Sequence, residues 1–415
     1  MILGAALLCV ASTSCKADDF ALDGRAVERL SVNNVWGFNA NQNVSGDDVV
    51  LAEDYLRRHE GTGLSSTTWA MSEQQLETLV TALNRPRRLV LSGPPVTENV
   101  LRRIAGNSES LTSLGIWGGD FSKWYERPSE FSGEGLANLQ FPSLEEFRFG
   151  FLYLEDYPSA QTGDGSLKTL TYSTRSQLSD SAMAALSTAP KLKFVVLVDC
   201  LLRDRSLRHL SDSRELTTLE LDGNPIAGDG LSHLTACKKL KHLSLGCCSL
   251  TDEGLQQLPS LPALEVLNLY NNQIGDVGLA HLTKARFPKL NCLILSRTDV
   301  TAEGLAGLAD FEGQLHIGEL RLSDNDLKFL EQSPGIVTVT LFRNKLTDKS
   351  AERLAKLKHL KWLDVRQTGI TEEGVQAIKA ALPDCVVGPC CPVLQYRVYP
   401  GGRDHFPGMD VIPEP

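Results

Sequence analysis

The chain is short of basic charge. Its 415 residues carry 41 Lys and Arg against 51 Asp and Glu, a formal net charge of -10. A protein that grips nucleic acid needs a basic stripe to neutralise phosphates, so nucleic acid is not the expected partner. Long apolar runs are also missing. A membrane-spanning helix needs ~20 predominantly apolar residues, and charges interrupt every stretch of that length. G-x-S-x-G, H-E-x-x-H and a G-K-[ST] phosphate loop are all absent, which leaves no catalytic constellation and no cofactor to expect. What is present is an ordinary folded composition, 42% hydrophobic and 22% charged.

The first residues, "MILGAALLCVASTSC", form an uncharged apolar run followed by small residues and Cys15. That is the pattern of a secretory leader, and the residues before Cys15 resemble a bacterial lipoprotein cleavage box. Residues 1–15 are therefore expected to be a leader. They predict export to the periplasm or a membrane-anchored lipoprotein, with Cys15 as the lipidation site. A cytoplasmic protein is the alternative. Near the other end, Cys385, Cys390 and Cys391 cluster. Their spacing fits no standard zinc pattern, so no metal is assigned, and a disulfide there is the plainer expectation in an oxidising compartment.

The chain repeats itself. A leading apolar residue recurs at Leu167, Leu192, Leu216, Leu240, Leu264, Leu290, Ile317, Ile336 and Leu360, with gaps of 25, 24, 24, 24, 26, 27, 19 and 24. A period this regular indicates a solenoid. Units open with L-x-x-L-x-L, as in Leu264, Leu267 and Leu269. The last two leucines alternate with polar residues and predict a short strand with one buried side. Eight residues after the leading position stands a small polar residue: Cys200, Asn224, Cys248, Asn272, Thr298, Asn325, Asn344 or Thr368. The chain must turn there, and a short side chain can satisfy the backbone groups the turn buries. Cys248 is therefore read as structural.

The second half of a unit begins Thr251-Asp252-Glu253-Gly254-Leu255, and the phrase returns at Thr301–Leu305 and Thr371–Val375. Threonine suits a helix N-cap, and acids in the first turn suit the helix dipole. Leu255, Leu258 and Leu261 recur at helical spacing and are expected to face inward. Ser132–Leu136 is a degenerate copy. One unit cannot bury its leucines alone, so stacking is obligatory and the array is one cooperative body.

The "LTDEGL" phrase and the Asn/Cys/Thr position resemble the leucine-rich repeat family, in its cysteine-containing, ribonuclease-inhibitor-like branch, and more specifically the repeat proteins that environmental bacteria export. The resemblance implies an α/β leucine-rich repeat solenoid, curved, with parallel strands on the concave face and helices on the convex one. It also implies the binding of other proteins, and no single activity. It covers residues 86–385. Residues 16–85 are expected to be an N-terminal cap or degenerate repeats, and 386–415 a C-terminal extension rich in Pro and Gly.

The pattern departs in two places. An inserted loop, 118–131, widens the gap between Leu111 and Leu144 to 33 residues. The unit from Ile317 to Gly335 is only 19 residues and lacks the "TDEGL" phrase, which predicts a shortened outer segment. His209, His233 and His281 fall at one place in their units and are expected on the outer helices as exposed residues.

The functional expectation is a non-enzymatic scaffold that holds a protein or peptide on the concave face. The alternatives are a ubiquitin-ligase-type substrate adaptor, or an enzyme or sensor whose active part lies in the N-terminal region or the 118–131 loop. Residues at +2, +4 and +6 from the leading position point away from the core. They give Trp117, Phe194, Val196, Val198, Tyr270, Arg321, Phe342, Trp362 and Arg366, with Arg343 beside them. Tyr, Trp and Arg most often carry interface energy, so these are the candidate binding residues. His242 and Asn268 add a polar lane next to Tyr270.

Overall fold

The computed structural model describes residues 27–30 and 35–38 as backbone, and residues 44–66, 71–93, 96–118, 132–149 and 178–388 more fully. The leader with Cys15, the loop 119–131, Leu167, and Cys390 and Cys391 lie outside the described residues. Two compact units are present. Among the described residues, the first takes those up to Leu144 and Phe149–Ala185, and the second takes Glu145–Arg148 and those from Leu186 on.

In the first unit, β1 (Val27–Leu30) pairs antiparallel with β2 (Val35–Phe38). Then β2, β3 (Gly63–Ser66), β4 (Arg88–Gly93) and β5 (Ser113–Gly118) pair parallel in chain order. Parallel neighbours need a crossover. Here α1 (Gly46–Arg58), α2 (Glu73–Ala82) and α3 (Glu98–Arg103) supply it. Ser45 with Asp48 and Ser72 with Gln75 close reciprocal capping boxes at the starts of α1 and α2. Leu64, Leu89, Leu91, Leu114 and Ile116 are fully buried beneath these strands. Further along the chain, α4 (Asp180–Leu186) falls almost wholly in this unit, while β6 (Glu146–Phe149) falls mainly in the second.

The second unit carries the regular repeats. β7 (Phe194–Leu197), β8 (Thr218–Glu220), β9 (His242–Ser244), β10 (Val266–Asn268) and β11 (Cys292–Ile294) pair parallel, each with the next. The row continues through β12 (Gly313–His316), β13 (Ile336–Thr340), β14 (Trp362–Asp364) and β15 (Val386–Val387). Leu219, Leu243, Leu267 and Leu293 stand opposite one another, and all four are buried.

Two side-chain ladders tie successive coils together. The first is the expected turn ladder. The Asn272 amide donates to the Leu245 and Leu269 carbonyls at 2.7 and 3.0 Å, and its oxygen accepts from the N–H groups of Cys248 and Leu250. Asn224 does the same one coil-pair earlier. Cys248 sits wholly buried with its thiol on the Leu221 carbonyl at 3.2 Å, and burial pushes that thiol well above its ordinary pKa. The structural reading of this cysteine therefore holds.

The second ladder is acidic, and its function was invisible in the repeat phrase. Asp252 in "TDEGL" accepts from the Gly275 N–H of the next coil. Asp204, Asp276, Asp324 and Asp348 likewise reach the backbone N–H groups that open the following outer segment. Glu98 plays this part in the first unit, accepting from Ser132, Gly133 and Gly135. These acids therefore stitch coils together as well as matching a local dipole. The close approach also explains the glycine of the phrase. A Cβ on Gly254 would overlap the Ala227 carbonyl oxygen.

Two expectations need correction. Leu255, Leu258 and Leu261 do face inward and are fully buried, but α5 covers only Asp252–Gln256. Coils of about 24 residues leave room for barely a turn of helix on the outer side. α6 (Asp276–Leu279), α7 (Ala302–Ala306) and α8 (Asp348–Leu354) are also short, and among the described residues of this unit only α9 (Glu372–Ala381) reaches ten residues. Elsewhere the outer segments are 3-10 turns, at Asp204–Leu210, Asp229–Ala236 and Asp324–Gln332.

The second correction concerns the short unit. Leu315 pairs with Leu293 and Val339, so Ile317 is the last core residue of its strand and not the leading one. Counting back three residues from Leu315 lands on Glu312, which is exposed. The strand bulges between Gly313 and Gln314. The turn position is then Leu320, which is buried, while Asn325 is exposed in the outer segment. That outer segment is not shortened. "SDNDL" stands where "TDEGL" stands elsewhere, and Ser323 closes a capping box with Asp326.

Candidate functional site

Strand residues that alternate with the buried leucines form the open face of the second unit. Phe194 is 42% exposed there, Val196 is half-buried and Val198 is buried. Tyr270 is 7% exposed, Phe342 and Trp362 are half-buried, and Arg343 and Arg366 are exposed. Trp117 lies on β5, opposite Ser92. Arg321 is the exception. With the register corrected it sits in the turn beyond β12, exposed and at a φ of 63°. The true strand residues of that coil are Gln314 and His316. Of the outer histidines only His233 is exposed as expected; His209 and His281 are half-buried, and all three stand on 3-10 or turn segments, not on α-helices.

A small apolar cluster lies on the open face, on the far side of the strands from the leucine core. Tyr270, Cys292 and Ile294 form it, with Val266 and Cys247 packed against it. Burial pushes the Cys247 thiol up to about 12, away from the thiolate form that a nucleophile needs.

On either side of the cluster the chemistry differs. Toward the N-terminal coils it is acidic. Asp222 is buried, and its Oδ1 accepts from the Ser244 hydroxyl at 2.6 Å and the Gly246 N–H at 2.7 Å. Burial, with the nearby Glu220 charge, raises its pKa to about 7. Toward the C-terminal coils it is rich in arginine and aromatic rings. Arg297 donates to the Tyr270 hydroxyl at 3.4 Å and lies 6.0 Å over its ring. His316 is 1% exposed, and burial lowers its pKa to about 4. Its Nδ1 lies 3.2 Å from the Thr340 hydroxyl. The Nε2 of His316 and the Nε1 of Trp362 are buried without a hydrogen-bond partner.

Many of the turn residues that follow these strands adopt the left-handed region, where side chains other than Gly, Asn and Asp are uncommon. Cys247, Asn271, Arg297, Glu319, Arg343 and Gln367 have φ between 52° and 59°. That conformation places consecutive coils' side chains in one line along the rim of the open face. The sequence reading reached Arg343 only as a neighbour of Phe342, and it missed Arg297, Glu319 and His316. The line-up is legible in hindsight as the residue seven places after each leading position.

Known proteins agree with this architecture. Leucine-rich repeat models match residues 238–281, as a pair of copies, and residues 213–234 and 356–379. Among solved structures, an internalin from Listeria monocytogenes is similar over 85% of this chain and 86% of its own, at 18% identity and a TM-score of 0.51. No curated protein matches the chain by sequence. The chain carries leucine-rich repeats at these residues, and its fold is the α/β solenoid of such repeats. Repeats of this kind serve generally as protein-interaction scaffolds.

Proposed function

We propose that the open, concave face of the second unit binds a protein or peptide ligand, and that the protein works as a non-enzymatic scaffold. The observation that carries this reading is the Tyr270–Cys292–Ile294 cluster, a second buried apolar cluster on the side of the strands away from the leucines. Beside it the half-buried Phe342 and Trp362 and the exposed Arg343 and Arg366 line the same face, and Trp, Tyr and Arg most often carry interface energy. Tyr270→Ala and Trp362→Ala should weaken binding of a natural partner at least tenfold, whereas Gln256→Ala on the outer side should leave it unchanged. Equal binding by all three variants would remove this face and direct attention to the 118–131 loop.

Export belongs to the same reading. The apolar leader supports secretion with acylation at Cys15, and a bacterial host should yield a product processed at or near that cysteine. A cytoplasmic product that keeps Met1 would refute it.

A further inference from the structure

The two ends of the open face have opposite electrostatic character, and at the C-terminal end the charges are stacked by depth. Glu319 lies 3.9 Å from Arg297 Nε and 3.7 Å from Arg343 Nη1, and its side chain is only 10% exposed. Asp364 accepts from Arg366 through both oxygens, at 2.9 and 2.7 Å, and its side chain is 3% exposed. The guanidinium groups lie above these acids. The side chains of Arg343 and Arg366 are 42% and 54% exposed. The pairs are close to neutral by count, yet the surface they present is cationic. Arg343 is also held by Gln367, its Nε donating at 2.7 Å. Held arginines lose little further freedom on pairing with a carboxylate.

The floor beside them supplies the second observation. The Nε1–H of Trp362 is a donor with no acceptor, and His316 Nε2 has no partner. Buried polar groups of this kind are uncommon. Both atoms are shut off from solvent, so a partner oxygen satisfies them once the side chains over them move aside. The Phe342 ring lies over Gly318, where a Cβ would overlap it, and this gives the floor an aromatic surface. All of this stands on a protein whose net charge is -10.

We propose that this end of the face receives an acidic, extended protein segment, its carboxylates on Arg343 and Arg366 and its apolar side chains on the Phe342 and Tyr270 side. The proposal rests on the reading of the concave face given above and adds the chemistry of its ligand. A long polyanion fits less well, because Glu220 stands at the other end of the same face and would repel it.

The test is selection of a displayed random peptide library on the full chain, followed by titration of the selected peptides. The expected pool is enriched in Asp and Glu beside aromatic or aliphatic residues. Arg343→Gln with Arg366→Gln should weaken those peptides at least tenfold, and raised salt should weaken them further. Arg205→Gln with Arg214→Gln, an equal charge change elsewhere in the unit, should not. Trp362→Phe keeps the ring, removes the N–H, and should cost several-fold. Thermal melts of each variant separate loss of binding from loss of fold. A pool without acid enrichment, or acidic peptides bound equally by the double variant, overturns the proposal. So does arginine-dependent binding of heparin or phosphatidylserine vesicles in place of peptides. An empty selection also overturns it. None of these results decides the concave-face reading, which answers to the Tyr270 and Trp362 variants with a natural partner.

Discussion

The coil that starts at Leu240 and the coil that starts at Glu312 build the same structure from very different words. The first has leucine in the leading slot, Cys248 in the turn and "TDEGL" outside. The second has an exposed glutamate, a buried leucine in the turn and "SDNDL". Both place a leucine in register on the strand row, Leu243 and Leu315. Both cap the outer segment with a hydroxyl, Thr251 and Ser323. Strand register, the cap and the inward leucines at Leu255 and Leu327 are therefore sufficient, and the leading leucine is dispensable. Stacking explains this. A coil clamped between two neighbours inherits their geometry, so its own consensus can erode.

The comparison breaks first, and hardest, in the core. Leu267→Ala and Leu315→Ala should each cost about 2–5 kcal/mol as buried truncations, measured by denaturant unfolding. If Leu315→Ala were nearly silent, the irregular coil would not be an equal member of the array. The turn ladder comes next. Asn272→Ala strands four backbone groups of two coils and should cost about 1–3 kcal/mol. Leu320 offers the converse. Its coil does without the polar side chain, so Leu320→Asn should give no gain in stability, and a gain would show that the ladder bond had been available there.

A smaller effect compares the two ends of the open face through pH. Asp222 has a folded pKa raised to about 7 by burial, against about 3.9 unfolded. Its contribution to stability is therefore complete below about pH 4 and lost as pH rises to about 7. His316 has a folded pKa lowered to about 4, against about 6.5 unfolded. Its contribution is complete above about 6.5 and lost as pH falls toward 4. The two slopes oppose each other in one window, so the wild type should show little pH dependence from these groups. Asp222→Asn should gain on the wild type as pH rises from 4 to 8, and His316→Gln should gain in the opposite direction. Parallel pH profiles for wild type and variants would refute both assignments. The smallest effect is on the outside: His233→Ala should change stability by less than about 0.5 kcal/mol, and a large loss would overturn the placement of the repeat.

Much of the fold was legible because repetition averages out noise. Leu264, Leu267 and Leu269 predict an inward strand in one coil, and their echo 24 residues earlier and 26 later confirms the pattern. The irregular coil was misread because Ile317 looks like a leading residue when nothing apolar fills the true slot. A bulge cannot be seen as a period. The candidate site was half legible. Phe342, Trp362 and Arg366 follow from strand alternation. Arg297 and Glu319 do not, because they stand in a turn that sequence reading treats as a connector.

By itself the sequence determined the repeat, the inward leucines, the turn ladder and the caps, since each depends on contacts within one coil or between adjacent identical ones. Tertiary structure alone decided three things. It set the register of the coil at Glu312 through the pairing of β12 with its neighbours. It turned Asp252 and its counterparts into ties between coils. It also set the depth at which Glu319 and Asp364 sit beneath Arg343 and Arg366. Depth is a property of the stacked assembly, because a charge is buried or exposed only by what the neighbouring coils lay over it.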